Sequence, residues 1–209
     1  ATLHLISHTQ YGMEGSHQEQ VEIVTNHKSH FEGFWFTQGG AQTERLFVVQ
    51  ALESEALVKL NGLNILTGTQ VVKTQTKIHH HQESCETHQF FKNIVSSSAL
   101  CEFDGLIYVE PIAQKTNAYQ SNHTLLLSDQ ARAITKPQLE IFADDVKASH
   151  GASVSSVDEE KLYYLQSRGF EKKDATNILV SGFFESTFND ITDQNTANVF
   201  RQKMLTHIE

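Results

Sequence analysis

"LEIFADDVKASHGAS", residues 139–153, is the stretch on which the reading of the fold turns. Leu139, Ile141 and Val146 have the spacing and residue types of a strand that faces a core. Asp144 and Asp145 interrupt them. In an extended strand these two carboxylates point to opposite faces, so they cannot work as an acid–base pair on one substrate. His150 stands beside Gly151, where the strand is expected to end and present its imidazole.

Upstream, residues 46–154 carry many short strand-like runs: "LFVV", "ALVKL", "LNIL", "QVVKTQTKI", "LIYV", "TLLLS" and "LEIF". No helical stripe interrupts them, which points to an all-β domain. "NGLN" (61–64) and "FDGL" (103–106) have the composition of hairpin turns. Most other junctions are rich in Gln, Ser, Asn and Thr and lack glycine, which suits a β-solenoid with side-chain ladders. On these residues a solenoid and a sandwich stand level. Residues 1–45 are less legible, with short strand-like pieces such as "LHLI", "VEIV" and "FWF".

Downstream of Ser155 the period changes. Ser156 and Glu159 are spaced as a capping box, Leu162 and Leu165 share a face, and Gly169 suits a helix stop. A second stripe holds Ala175, Ile178, Leu179, Gly182 and Phe183, and a third aligns Ala197, Phe200, Met204 and Ile208. The expected organisation is a β domain over residues 1–155 and a helical subdomain over 156–209.

Bulk properties narrow the class. Sixteen basic against 25 acidic residues leave a net charge of −9, a poor match for nucleic acid or an anionic membrane. With two cysteines, Cys85 and Cys101, there is no disulfide framework, and a cytoplasmic location is expected. No apolar run reaches the roughly 18 residues of a membrane span. The chain opens at Ala1, already strand-like and without a charged-then-apolar leader, which suggests a piece of a longer protein.

The densest chemistry lies in "KIHHHQESCETHQFFK" (77–92). His79, His81, Cys85 and His88 are candidate metal ligands. His79 and His81 followed by Glu86 also match the centre of a cupin motif, which makes a metal-dependent β-fold enzyme the alternative reading. Lys73 and Asn93 stand where that motif needs glycines. No nucleophile elbow, phosphate loop or dinucleotide fingerprint occurs, so hydrolase and nucleotide-binding readings have no local support.

Several longer blocks carry a resemblance. "SCETHQFFKNIV" (84–95), "FDGLIYV" (103–109), "AQKTNAYQSNHTLLLS" (113–128), "KPQLEIFADDVKASHGAS" (136–153) and "DEEKLYYLQSRG" (158–169) resemble the SufB/SufD family of iron–sulfur cluster assembly proteins. "ADDV…SHGA" looks like its SufD branch. The resemblance implies a right-handed parallel β-helix followed by a small C-terminal helical subdomain, and a non-catalytic scaffold role. It implies pairing with a SufB-like subunit through the β-helix and with a SufC-like ABC ATPase through the C-terminal helices. Phe183 and Phe184 are candidates for that second contact. The family's C-S-H-G-A block supplies an interface histidine implicated as a cluster ligand, here His150. Its usual cysteine is replaced by Ala148, so thiolate ligands would come from the partner. The cofactor implied is a transient cluster shared with that partner, with none held tightly by the isolated chain. A homodimer through the same edge is expected when the partner is absent.

Overall fold

Eleven ten-residue strands, among the residues described, build the protein's β domain in the computed structural model. The structure describes residues 1–12, 14–188 and 194–205. The strands are β1 (Thr2–Tyr11), β2 (Ser16–Thr25), β3 (His30–Gly39), β4 (Gln42–Ala51), β5 (Leu57–Leu66), β6 (Val71–His80), β7 (Glu86–Val95), β8 (Leu100–Val109), β9 (Asn117–Leu126), β10 (Arg132–Ile141) and β11 (Lys147–Ser156). Odd strands form one sheet in the order β1-β3-β5-β7-β9-β11; even strands form a second, β10-β8-β6-β4-β2. Every pairing is parallel. Each coil therefore contributes one strand to each sheet and stacks on the coil before it. Leu57 pairs with Glu86 and Val71 with Leu100, both 29 residues on. This is a β-solenoid, not a sandwich, and it differs equally from the antiparallel jelly roll of a cupin.

The two apparent hairpin turns lie inside strands. Gly62 sits in the middle of β5 and Gly105 in the middle of β8. The reason at Gly62 is close approach: a Cβ there would lie 2.4 Å from Cδ1 of Phe91 on the next coil. "ALVKL" and "LNIL" are thus one strand. The real turns use another device. Lys28, Glu55, Ser84 and Lys115 all adopt positive φ, each two residues before an odd-numbered strand. Their N–H groups donate to the following coil: Lys28 to Ser54, Glu55 to Glu83, Ser84 to Gln114 and Lys115 to Asp145. Asp144 and Asp145 belong to this turn column, between β10 and β11, and not to a strand. The backbone N–H of Asp145 also donates to Oε1 of Gln114, at 2.9 Å. The acidic pair is a turn, where Asp is favoured.

Inside the solenoid, Trp35, Phe47, Leu60, Phe91, Phe103 and Ile107 form the main apolar core. A polar ladder runs beside it. Asn64 Nδ2 donates to Asn93 Oδ1 (2.8 Å), Asn93 Nδ2 to Asn122 Oδ1 (2.9 Å), and Asn122 Nδ2 to Thr135 Oγ1 (3.1 Å). His80 also points inward. Its Nε2 meets Thr87 Oγ1 at 3.0 Å, and burial lowers its pKa to about 4.

Over parts of β3, β5, β7 and β9, though not over exposed β11, the outer face of the odd-strand sheet is covered from the helical region, so β3 is buried on both sides, as parallel strands with helical cover are. The helices are α1 (Glu159–Ser167), α2 (Lys172–Phe184) and α3 (Gln194–Leu205), with a short 3₁₀ turn at Glu185–Phe188. Phe34, Phe36, Leu63, Ile65, Ile94 and Leu125 of the sheet pack against Val180, Phe184, Phe188, Ala197 and Phe200. The cap of α1 is Asp158, whose carboxylate accepts from the N–H groups of Glu160 and Lys161. Ser156 is instead the last residue of β11. Gly169, at φ 95°, and Phe170 donate to Gln166 and Leu165, closing the helix as a Schellman motif. On α2 the buried stripe is Ala175, Val180 and Phe184, rotated from the expected one; Ile178 is exposed. Met204 and Ile208 of the third expected stripe lie outside the residues whose side chains are described. Among the described residues no helix is long and apolar enough to cross a membrane.

Candidate functional site at the open end of the solenoid

The chain leaves the solenoid after Ser156 and enters α1 at Glu159. Among the described residues, no later strand pairs with β10 or β11, and each ends its own sheet. Both sheets therefore present unpaired edges at the same end of the molecule.

His150 sits in β11 within this edge. It does not end the strand, which continues to Ser156. Its register partner is Gln120, which pairs in turn with Gln89. Both glutamines are buried, so the row is the one that faces the solenoid interior. In this coil no described strand pairs with β11 beyond that row, and His150 is exposed. Ala148 occupies the neighbouring interior row, above buried Ala118, and packs on the main core. Exposed apolar side chains flank the edge: Ile134 on β10, Phe142 in the turn and Val154 on β11. A sheet end with an interior-facing imidazole and an apolar rim can accept another strand and place a metal-ligating nitrogen at the junction.

The histidine-rich segment is divided by the turn between β6 and β7. His79 and His81 lie on the outside of the even-strand sheet, with ring centroids 3.7 Å apart. The carboxylate that joins them is Glu110, not Glu86: His79 Nε2 meets Glu110 Oε1 at 2.9 Å. His88 lies on the other sheet, where its Nε2 bonds Glu86 and its ring stacks on Tyr119. Cys85 is buried and its thiol donates to the carbonyl of Glu53 at 3.2 Å. Burial pushes that thiol up, away from the thiolate a metal needs. Among the described residues, one group of side chains brings metal-ligating atoms together: His79, His81 and Glu110. Neither Cys85 nor His88 belongs to it. No local motif marks Glu110, because it lies 29 residues beyond His81, one coil away. The coil length, once known, identifies it.

Two parallel sheets of stacked coils with a helical flank define the class as a β-solenoid, and comparison with known sequences supplies the family. The model for the core domain of SufBD proteins, of the SUF iron–sulfur cluster assembly system, matches residues 1–183, so the chain belongs to that family. Its relatives make it SufD-like. It is 35% identical over 173 residues to the iron–sulfur cluster assembly protein SufD of Escherichia coli, covering 83% of this chain and 40% of that protein. It is 39% identical over 145 residues to a SufBD family protein of Synechocystis, covering 69% and 32%. It is 34% identical over 172 residues to the chloroplastic protein ABCI7 of Arabidopsis thaliana, covering 82% and 36%. The chain thus spans well under half the length of each of these relatives.

Proposed function

We propose that this chain is a non-catalytic scaffold subunit in iron–sulfur cluster assembly, docking a SufB-like partner on the open coil of β10 and β11. The observation that supports the reading is the interior-facing row ending in exposed His150, at the end of the solenoid where β10 and β11, the last strands among the described residues, leave both sheets open. The cluster is cargo built at the junction. His150 contributes one neutral nitrogen donor, and the partner contributes the thiolates, because Ala148 occupies the position of the family's usual cysteine. Substituting His150→Ala in the assembled complex lowers cluster yield and leaves the subunits together. Unchanged yield refutes the ligand role; dissociation refutes the separation of ligand from docking surface.

The helices suit the second contact, with a SufC-like ATPase. Phe184 is buried against Phe188 and cannot take part, and Phe183 is half-buried beneath Lys92. Exposed apolar side chains of the helical region include Tyr163, Tyr164, Phe170 and Ile178. A Tyr163→Asp, Ile178→Asp pair of changes touches no core residue and abolishes co-purification with the ATPase. Retained co-purification excludes this surface.

A further inference from the structure

We propose that His79, His81 and Glu110 form a surface site for a divalent first-row transition cation, on the opposite sheet from His150. Four observations carry it. First, His79 and His81 are two residues apart in extended backbone, so both point outward. Second, Glu110 is brought beside them by coil stacking, its N–H bonded to the carbonyl of His80 at 3.1 Å. Third, one ligand atom from each of the three side chains lies within 4.8 Å of the others. With metal–nitrogen and metal–oxygen distances of about 2.0–2.2 Å, ligand atoms sit roughly 3.3 Å apart, so side-chain rotation alone closes the set.

Fourth, the flanking groups orient the rings. His81 Nε2 meets Gln50 Oε1 at 2.7 Å. An amide oxygen accepts only, so this bond holds the proton on Nε2 and leaves Nδ1 free to coordinate. Tyr108 packs edge-on to His79 with centroids 4.6 Å apart and limits its rotation. His79 and Glu110 are each about one-third exposed (31% and 32%), so solvent waters can complete the coordination. Two imidazoles and one carboxylate with open positions suit Zn(II), Fe(II) or Co(II), and are too nitrogen-rich for Mg(II) or Ca(II).

The test uses the purified protein and Co(II) or Zn(II) alone. Co(II) titration, read by visible absorption, gives one site in the wild type. Glu110→Gln weakens it at least tenfold, and a His79→Ala, His81→Ala double variant abolishes it. His88→Ala and Cys85→Ser bind as the wild type does. Circular dichroism checks each fold; should the double variant unfold, Glu110→Gln decides. Histidine-selective NMR with Zn(II) on the wild type locates the site independently, shifting His79 and His81 first. Affinity of Glu110→Gln within twofold of wild type, or first shifts at other histidines, overturns the proposal.

Discussion

Replacing Asn93 with alanine tests the stacked-coil interior. The side chain is buried, at 1% exposure, and bridges three coils. It accepts from Asn64 Nδ2 and donates to Asn122 Oδ1 and to Thr124 Oγ1, the last at 3.1 Å. Truncation leaves a buried amide donor on Asn64 and a buried acceptor on Asn122 without partners. Each such loss costs about 1–3 kcal/mol. Thr124 can rotate its hydroxyl, which leaves the two losses on Asn64 and Asn122, so the expected total is about 3–4 kcal/mol. Urea denaturation followed by circular dichroism reads it directly as a lowered midpoint. A double-mutant cycle sharpens the test. Once Asn93 is alanine, Asn64→Ala removes a donor already unpaired, so its added cost falls below about 1 kcal/mol. A loss under about 1 kcal/mol for Asn93→Ala alone, or full additivity with Asn64→Ala, refutes the ladder.

Three further outcomes follow from particular contacts. Gly62→Ala forces a methyl group against the Phe91 ring, 2.4 Å away, and lowers stability by about 1–3 kcal/mol in the same denaturation assay. Cys101 is fully enclosed and its thiol is pushed up to about 12 by burial and then by Glu102, while Cys85 is raised by burial. Neither reacts with iodoacetamide at pH 8 until the chain unfolds, which mass spectrometry counts. The pKa of His123 is lowered, first by burial and then by Lys92. The unfolded chain therefore binds a proton near pH 6.5 and below that the folded chain refuses. The wild type loses more stability than His123→Gln as pH falls through that range, and the difference between the two is constant above it.

How much of this was legible beforehand depends on where the information lies along the chain. Strand-forming residues over 46–154 and the helical period after Ser155 are local signals, and both are found in the structure. Parallel stacking is not local. Antiparallel neighbours can be joined by a short turn that sequence reveals, whereas here each strand's partners lie 26–32 residues away, for example Ser16 with Gln42 and Leu100 with Arg132. For this reason the composition of residues 61–64 suggests a turn, where the structure has a gap at Gly62 for Phe91. Val146 resumes the apolar pattern at once, so the local pattern alone puts Asp144 and Asp145 in a strand. Their role as the last member of a turn column shows only when Lys28, Glu55, Ser84 and Lys115 are aligned coil on coil. Glu110 is hidden from the sequence in the same way, one coil away from His79 and His81. The sequence block singles out His150 as a candidate, but its interior-facing row is not legible there, since that depends on buried Gln89 and Gln120.

Hydrogen exchange of this chain, alone and mixed with a SufB-like subunit, addresses the docking claim at its source. Backbone amides of residues 132–156, the two terminal strands and the turn between them, should slow at least tenfold on mixing, while those of β5 and β6 stay unchanged. Binding that leaves 132–156 exchanging as in the free chain would contradict the assignment of this open coil, and with it the role given to His150.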